Sequence, residues 1–476
     1  MESPPPPGAL GQAQRSRSRR IPTGGRAQQV PWASGHCTWT AAKPPGPWDR
    51  DTPRRCFSAN IPTVGRALTS VRIPPRLWSG TAKLLGARGV ATICSVLSLA
   101  ILARALEPAE FGRLTFYLAL LALLHPLVDC GTSTAALQRG SADREILLGA
   151  IRAGRSIRLV AALLAALIVA TAVLALGEQD ALWICAAALL MSTRALELSS
   201  LVYHSDLRWS TPTKVRIGSS MLRLGSIALL SACGLRTFGP YLLAAAGARA
   251  SADVVLHLSA RSELRGTSSK PPVQTFLRAS LPLAAIAILQ EAYFYADNGV
   301  VRWFLGDAPL GFYNAAVRVF GFAILPVAIG TNVALPWLVR RARAGELRSS
   351  VRKLTLIACS ASLIPVAALW VAAPDLLSLL FGGAFGEATW PLRWLLLGAV
   401  AIYAGAPALT GLLARSANAA VFAITLGALL FNLTADFLLV PRLGIEGAAL
   451  GTFGTELFVT LAAILVLWSS EKARAH

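Results

Sequence analysis

Charge is what this 476-residue chain has least of. Asp, Glu, Lys and Arg make up 14% of it, against about 25% in an ordinary soluble domain. Acids are the scarcer sign, 24 against 45 Lys+Arg, leaving a net charge of +21. Histidine is sparse and scattered, at His36, His125, His204, His257 and His476. The seven cysteines form no CxxC pair and have no His-rich neighbour, so neither a zinc site nor a disulfide framework is indicated. Cys94, Cys130, Cys185 and Cys233 lie in or beside apolar runs and act as small hydrophobes. No GxxxxGK[ST] phosphate loop occurs, which argues against ATP-driven transport within this chain. HExxH and GxSxG are missing too. No soluble segment beyond the N-terminal tail is long enough for a catalytic domain, so neither enzymatic activity nor a bound metal or cofactor is expected.

What the chain has in excess is apolar surface: 54% hydrophobic residues and a mean hydropathy of +0.56. From residue 81 onward, apolar stretches of roughly 18–25 residues alternate with short polar loops, each long enough to cross ~30 Å of hydrocarbon at about 1.5 Å per residue. The spans fall near 84–106, 112–136, 157–177, 180–202, 214–234, 237–259, 275–304, 311–338, 354–373, 390–413, 417–440 and 445–469. The fold class predicted is all-α integral membrane, about twelve helices around a central cavity. Its two six-helix halves are 81–270 and 271–476. Residues 1–80 differ: they hold 12 basic and 3 acidic residues and 13 of the 28 prolines. Such a segment buries too little apolar surface to offset its chain entropy, so it reads as a disordered basic tail. A transit peptide is a weaker reading. So is a start codon placed too early, with the true start near Val64 or Val71.

Loop charge tests the count. The loops after even-numbered helices, with the flanking first turn included, carry Arg139, Arg144, Arg152, Arg155 and Arg158, then Arg208, Lys214 and Arg216, then Arg261, Arg265, Lys270 and Arg278. Next come Arg340, Arg341, Arg343, Arg348, Arg352 and Lys353, and finally Arg415. The odd loops have few basic residues at their edges and carry Glu107, Glu110, Glu178, Asp180, Asp307, Asp375, Glu387 and Glu446. The positive-inside rule then puts both termini in the cytoplasm. A basic excess of this kind belongs to cytoplasmic loops and not to nucleic-acid binding. A weak repeat supports six plus six: LEPAEFG (106–112) matches LGDAPLG (305–311) at Leu106/Leu305, Ala109/Ala308 and Gly112/Gly311.

Ionisable groups near the bilayer centre cost about 2.5–3.5 kcal/mol on insertion scales, so they face a cavity or a partner. In helix seven, Glu291, Tyr295, Asn298 and Arg302 fall on one stripe, with Asp297 about 100° round from Asn298. They read either as a cavity lining or as ion pairs that fix packing. Arg88, Thr92 and Ser95 share a face of helix one, with Arg104 near its outer end. Arg88 reads equally as a snorkelling inner-headgroup contact. Helix eleven carries Thr425, Asn432 and Asp436 on one face, and helix eight opens with Asn314 and Arg318. The Arg318 guanidinium suits an anion, because it binds phosphate or carboxylate bidentately. Arg249/Asp253 and Arg194/Glu197 read as self-neutralising pairs, and His125/Asp129 as a packing hydrogen bond beside the kink expected at Pro126.

Five segments in order carry a resemblance: LARALEPAEFGRLTFYLAL (102–120), LVDCGTSTAALQR (127–139), DNGVVRWFLGDAPLGFYNAAVRV (297–319), LLSLLFGGAFGEA (376–388) and NLTADFLLVPRLGIEGAALGT (432–452). Over about 80–470 the chain resembles the oligosaccharide flippases of the multidrug/oligosaccharidyl-lipid/polysaccharide exporter superfamily. The resemblance implies a V-shaped bundle of two halves that moves polyprenyl-diphosphate-linked sugars across the bacterial plasma (inner) membrane for cell-surface polysaccharide, including lipopolysaccharide, biosynthesis. Asp297 matches the family's acidic position in helix seven, and Arg302 stands where a small residue is usual. The expected substrate contacts are Arg88, Arg104, Arg302 and Arg318 for the anionic head and Tyr295, Asn298 and Asn432 for sugar hydroxyls. Glu291, Asp297 and Asp436 are candidates for a coupling proton or sodium ion. Expected partners are the lipid-linked oligosaccharide, membrane lipids, and a polysaccharide polymerase and glycosyltransferases, with no nucleic acid. The rival readings are a multidrug cation antiporter of the same superfamily, a fourteen-helix lipid II flippase, and a non-transporting scaffold of a polysaccharide assembly complex.

Overall fold

The computed structural model describes residues 75–472 apart from 141–142, 179, 207, 209 and 266–272. The expected tail, residues 1–80, lies almost wholly outside the described residues. Among the described residues there is no strand, and twelve long helical segments run in sequence. They are α1 Pro75–Ala105, α2 Pro108–Asp129, α3 Arg144–Ala175, α4 Ala181–Ser205, α5 Ser210–Ala232 and α6 Phe238–Ala260. The second six are α7 Val273–Leu305, α8 Asp307–Arg343, α9 Leu347–Val371, α10 Thr389–Ala414, α11 Asn418–Leu443 and α12 Ile445–Lys472. The expected all-α membrane fold is therefore the observed one.

Among the described residues, nine of these helices are long and apolar enough to cross a membrane by length and composition. In α1 the stretch Gly89–Ala105 is likewise apolar. Helices α5 and α6 are the more polar, and their Arg216, Arg223 and Arg249 line the central cavity. Elsewhere the helices turn bare aliphatic faces outward. On α3, Leu163, Leu164, Leu167 and Ile168 are 48–65% exposed, and on α9 Ile364 is 81% exposed. A continuous apolar surface of this kind belongs against lipid.

Packing recurs between the two sets of six. In the first, α1 packs on α5, α5 on α6, α4 on α6 and α3 on α4. In the second, α7 packs on α11, α11 on α12, α10 on α12 and α9 on α10. The sets meet chiefly where α2 packs on α8 and α7. The matched glycines of the sequence repeat sit at that junction. A Cβ on Gly112 would strike the Asp307 carbonyl and lie 2.9 Å from the Gly311 nitrogen. One on Gly311 would strike the Pro108 carbonyl and lie 3.2 Å from the Gly112 nitrogen. Only glycine lets the two backbones approach this closely.

Several boundaries depart from the sequence reading. Helix α2 ends at Asp129 instead of 136: Cys130 and Gly131 both take left-handed backbone (φ 48° and 69°), and a short helix, Thr132–Gly140, follows. Helix α3 begins thirteen residues earlier than expected. The Asp143 carboxylate accepts from the Glu145 and Ile146 amides at 2.8 and 3.3 Å, capping a basic first stretch. Helices α7 and α8 are joined by Gly306 alone, whose φ of 87° makes the reversal. The loop after α9 holds a short helix, Ala373–Phe381, and a 3-10 turn, Gly383–Ala388. These place Phe381 and Phe385 edge-on to Phe111 of α2 at 6.0 and 5.4 Å, while Phe312 of α8 meets Phe385 at 5.7 Å.

Candidate functional site

A cavity runs between the two sets of helices in three adjoining compartments. The widest, about 950 Å³, is lined by Thr92 and Ser95 of α1, Arg216, Ser220 and Arg223 of α5, Arg249 of α6, and Phe322 to Ile329 of α8. A deeper one, about 290 Å³, shares Thr92, Ser95 and Arg223 and adds Thr115, Tyr295, Asn298, Asn314 and Arg318. A side pocket of about 350 Å³ joins it at Tyr295 and is lined by His125, Thr193, Arg194, Arg249 and Glu291.

Of the residues expected to touch substrate, Tyr295, Asn298 and Arg318 line the deep compartment together. Among the described residues Arg318 makes no ion pair or hydrogen bond. Neither does the guanidinium of Arg223, whose Nε is buried without a partner. The two cations share the compartment and lie close enough to repel one another. Two unpaired guanidinium groups facing one cavity are costly unless an anion completes them. Arg223 was not foreseen. The signal was present in the stripe Arg216, Ser220, Arg223, at i, i+4 and i+7 on α5, but Arg216, in the first turn of the span, was counted with the basic charge of the preceding loop.

The other candidates lie elsewhere. Arg302 is committed at the acidic end of the bundle. Its Nη2 donates to Glu178 and its Nε to Asp307, both at 2.7 Å, and it lies over the Phe116 ring at 4.4 Å. Arg104 donates to the Leu379 carbonyl at 2.8 Å, also at that end. Neither lines the cavity compartments. Arg88 lies in α1, and its side chain is outside the described residues. Asn432 and Asp297 line a separate crevice of about 30 Å³ with Tyr293, Tyr313, Thr452 and Glu456. There Tyr313 donates to Asp297 and Tyr293 to Glu456. Among the described residues, both carboxylate oxygens of the fully buried Asp436, and Oδ1 of Asp297 and of Asn432, have no hydrogen-bond partner. An unpaired buried carboxylate takes up a proton or a cation. No three His, Cys, Asp or Glu converge on a metal position among the described residues.

The charges of the first six helices form one network instead of separate pairs. Arg158, counted by sequence with the charge of the second loop, is fully buried and pairs with Asp129. Asp129 also accepts from Ser133 at 3.0 Å, and the expected His125–Asp129 bond is not formed: His125 Nε2 lies 3.7 Å from Glu197 instead. Glu197 receives Arg249 at 2.6 Å, Arg194 at 3.4 Å and Arg158 at 3.7 Å, and Asp253 lies 3.8 Å from both Arg194 and Arg249. Three arginines thus offset Asp129, Glu197 and Asp253.

The acidic end is closed. Besides Arg302, Glu178 binds Arg113 at 3.2 Å, Arg113 reaches Asp180 at 3.1 Å and Glu110 at 3.1 Å, and Glu110 accepts the Phe238 amide at 2.7 Å. Burial pushes the Glu178 carboxyl up, but the hydrogen bond from Arg302 and the charges of Arg302 and Arg113 hold it below its ordinary value. At the basic end a second cluster joins Arg144 to Asp206 at 3.4 Å and to Glu263 at 3.2 Å, while Arg208 bonds Asp206 at 2.7 Å and also bonds Glu263.

No curated protein matches the chain. Among solved structures it is similar to an inward-facing multidrug resistance MATE family transporter of the MOP superfamily, at 17% identity and TM-score 0.64, covering 81% of this chain and 95% of that one. It is also similar to the lipid II flippase MurJ in an inward closed conformation, at 13% identity and TM-score 0.63, covering 80% and 87%. A MOP superfamily transporter from Pyrococcus furiosus matches at 15% identity and TM-score 0.59, covering 84% and 96%. These likenesses show a shared fold. Residues 77–342 match the family model described as "Polysaccharide biosynthesis protein", more than half of the chain. The chain is a multi-pass membrane protein that belongs to the polysaccharide biosynthesis protein family.

Proposed function

We propose that the protein is a flippase that moves polyprenyl-diphosphate-linked oligosaccharide from the inner to the outer leaflet of a bacterial plasma membrane, feeding cell-surface polysaccharide synthesis. The observation that carries this reading is the pair Arg223 and Arg318, neither with an ion pair among the described residues, facing one cavity between the halves. A diphosphate would complete both, and the polar rim of Thr115, Asn298 and Asn314 would replace part of its lost hydration. The cavity extends along α1, α5 and α8 toward the Arg-rich loops, which the positive-inside rule assigns to the cytoplasm together with both termini. Cargo would therefore load from the inside, and the prenyl tail would stay in lipid. Moving a negative charge outward through an inside-negative potential gains about 2.3 kcal/mol per 100 mV. Asp297 and Asp436 would hold a coupling proton or sodium ion. A multidrug cation antiporter is disfavoured by the unpaired arginines of the deep compartment, and a scaffold would need no such lining. A polymerase and glycosyltransferases are the partners this reading implies.

The test is translocation of a labelled prenyl-diphosphate oligosaccharide in proteoliposomes, normalised to folded protein. Arg318→Ala and Arg223→Ala are each expected to lower transport by about 10- to 100-fold, the size of a lost hydrogen bond to a charged group. Arg318→Lys restores it only in part, because Lys lacks the bidentate fork. Wild-type transport by Arg318→Ala sinks the anion role.

A further inference from the structure

The cavity has a second chemical end that the diphosphate reading leaves unused. In the 350 Å³ side pocket, the cationic residues Arg194 and Arg249 are already matched by Glu197 and Asp253. Glu291 has no such match: among the described residues its carboxylate makes no hydrogen bond and no ion pair. The pocket's uncancelled charge is therefore negative, while that of the deep compartment is positive. Tyr295 stands between them. It lines both compartments and lies within the fields of both Arg318 and Glu291. Its ring is held edge-on by Phe294 at 5.2 Å, and the phenol forms no hydrogen bond among the described residues. Thr193 and His125 complete the polar wall. The volume lies at the lower end of the roughly 300–1,000 Å³ of small-ligand sites.

From this polarity we infer that the side pocket is the carbohydrate subsite, and that it accepts neutral or amino sugars and rejects acidic ones at the position next to the diphosphate. The inference rests on the diphosphate reading above and deepens it. With the anion on Arg223 and Arg318, the first sugar reaches past Tyr295 toward Glu291. A hydroxyl or ammonium there donates to the carboxylate in a charge-assisted bond, and the Tyr295 ring offers an apolar face to the pyranose. A uronate would meet the Glu291 carboxylate instead, and like charges brought together in a partly desolvated pocket repel strongly. Selectivity comes from that repulsion as much as from attraction.

The experiment measures binding of four soluble probes to the purified full-length protein in detergent: farnesyl diphosphate, and farnesyl diphosphate bearing glucose, glucosamine or glucuronic acid. Wild type is expected to bind the glucose and glucosamine conjugates about tenfold or more tightly than the glucuronate conjugate. Glu291→Gln, which keeps shape and removes charge, should bring that ratio close to one. Arg318→Ala should weaken all four probes alike and preserve the ratio. Equal or tighter binding of the glucuronate conjugate by wild type overturns the subsite, as does a ratio unchanged in Glu291→Gln. If farnesyl diphosphate fails to bind, or binds Arg318→Ala as well as wild type, the diphosphate reading itself falls and takes the subsite with it.

Discussion

Arg302 and Arg318 show how differently two arginines in neighbouring helices can serve. Both were candidates for the anionic head. Arg318 faces the cavity, whereas Arg302 ties α7 to Glu178, a residue 124 positions away in the loop between α3 and α4. No helical periodicity reports a partner that distant, so the stripe on helix seven was legible but the role of its last member was not. The Arg302–Glu178 pair crosses between the two sets of helices at the acidic end, with Tyr117 of α2 a further acceptor at 3.4 Å. Arg302→Ala is expected to loosen this closure. A pair that remains partly exposed contributes about 1 kcal/mol, which is roughly a fivefold change in a two-state population. A cysteine at Ser98, a buried position lining the deep compartment, placed in a Cys233→Ser background, should then be labelled several-fold faster by an impermeant thiol reagent added outside. Acid should act in the same direction. Glu178 titrates below its ordinary value, so its contribution is complete above that ordinary value and is lost as pH falls through the depressed one. Labelling in Arg302→Ala no faster than in the Ser98→Cys parent would remove Arg302 from the closure.

At the scale of elements, the helix count and order were readable because a membrane span is a long apolar run with charged ends. What escaped were a break within one run and the ordered structure of one loop. The turn at Cys130 and Gly131, and the helix and 3-10 turn over 373–388, depend on packing against distant residues such as Phe111. The repeat was legible as three matched letters. Its physical meaning, that Gly112 and Gly311 let α2 and α8 touch, was not. Gly112→Ala places a methyl against the backbone of Asp307 and Gly311, neither of which can yield like a side chain. A loss of about 1–3 kcal/mol is expected, read as a lowered Tm in detergent. Gly247→Ala in α6 meets open space and should be neutral or stabilise by up to about 1 kcal/mol through helix propensity. Equal Tm values for the two variants would contradict the close approach. The loop between α6 and α7 gives a pH test. The hydrogen bond from Arg208 outweighs burial and holds the Glu263 carboxyl below its ordinary value. The stabilisation is present above the ordinary carboxylate pKa and disappears as pH falls through the depressed one. Glu263→Gln should therefore lower Tm at pH 7 and match wild type in strong acid. The same deficit at both pH values would assign the effect to packing.

For the whole molecule, orientation in the membrane rests on charge asymmetry. Acidic groups collect at the end where Glu110, Glu178, Asp180 and Asp307 pair with Arg113 and Arg302. Basic residues in excess collect at the other, in Arg340, Arg341, Arg343, Arg348, Arg352 and Lys353, where Arg341 pairs with Glu346. Retention of that basic end in the cytoplasm puts the loop between α5 and α6 outside. This loop carries a native probe, Cys233, which is exposed, whereas Cys94 is buried. In intact cells, an impermeant maleimide is expected to label the wild-type protein, and Cys233→Ser should remove most of that signal. A cysteine at the exposed position Arg343, introduced into the Cys233→Ser background, should stay unlabelled until the membrane is permeabilised. The two sites sit at opposite ends of the bundle, so they must answer oppositely. Labelling of Arg343→Cys in intact cells, with Cys233 protected, would invert the protein in the membrane. It would also turn the long flank of the cavity along α1, α5 and α8 toward the outside, so that cargo could not load from the inner leaflet.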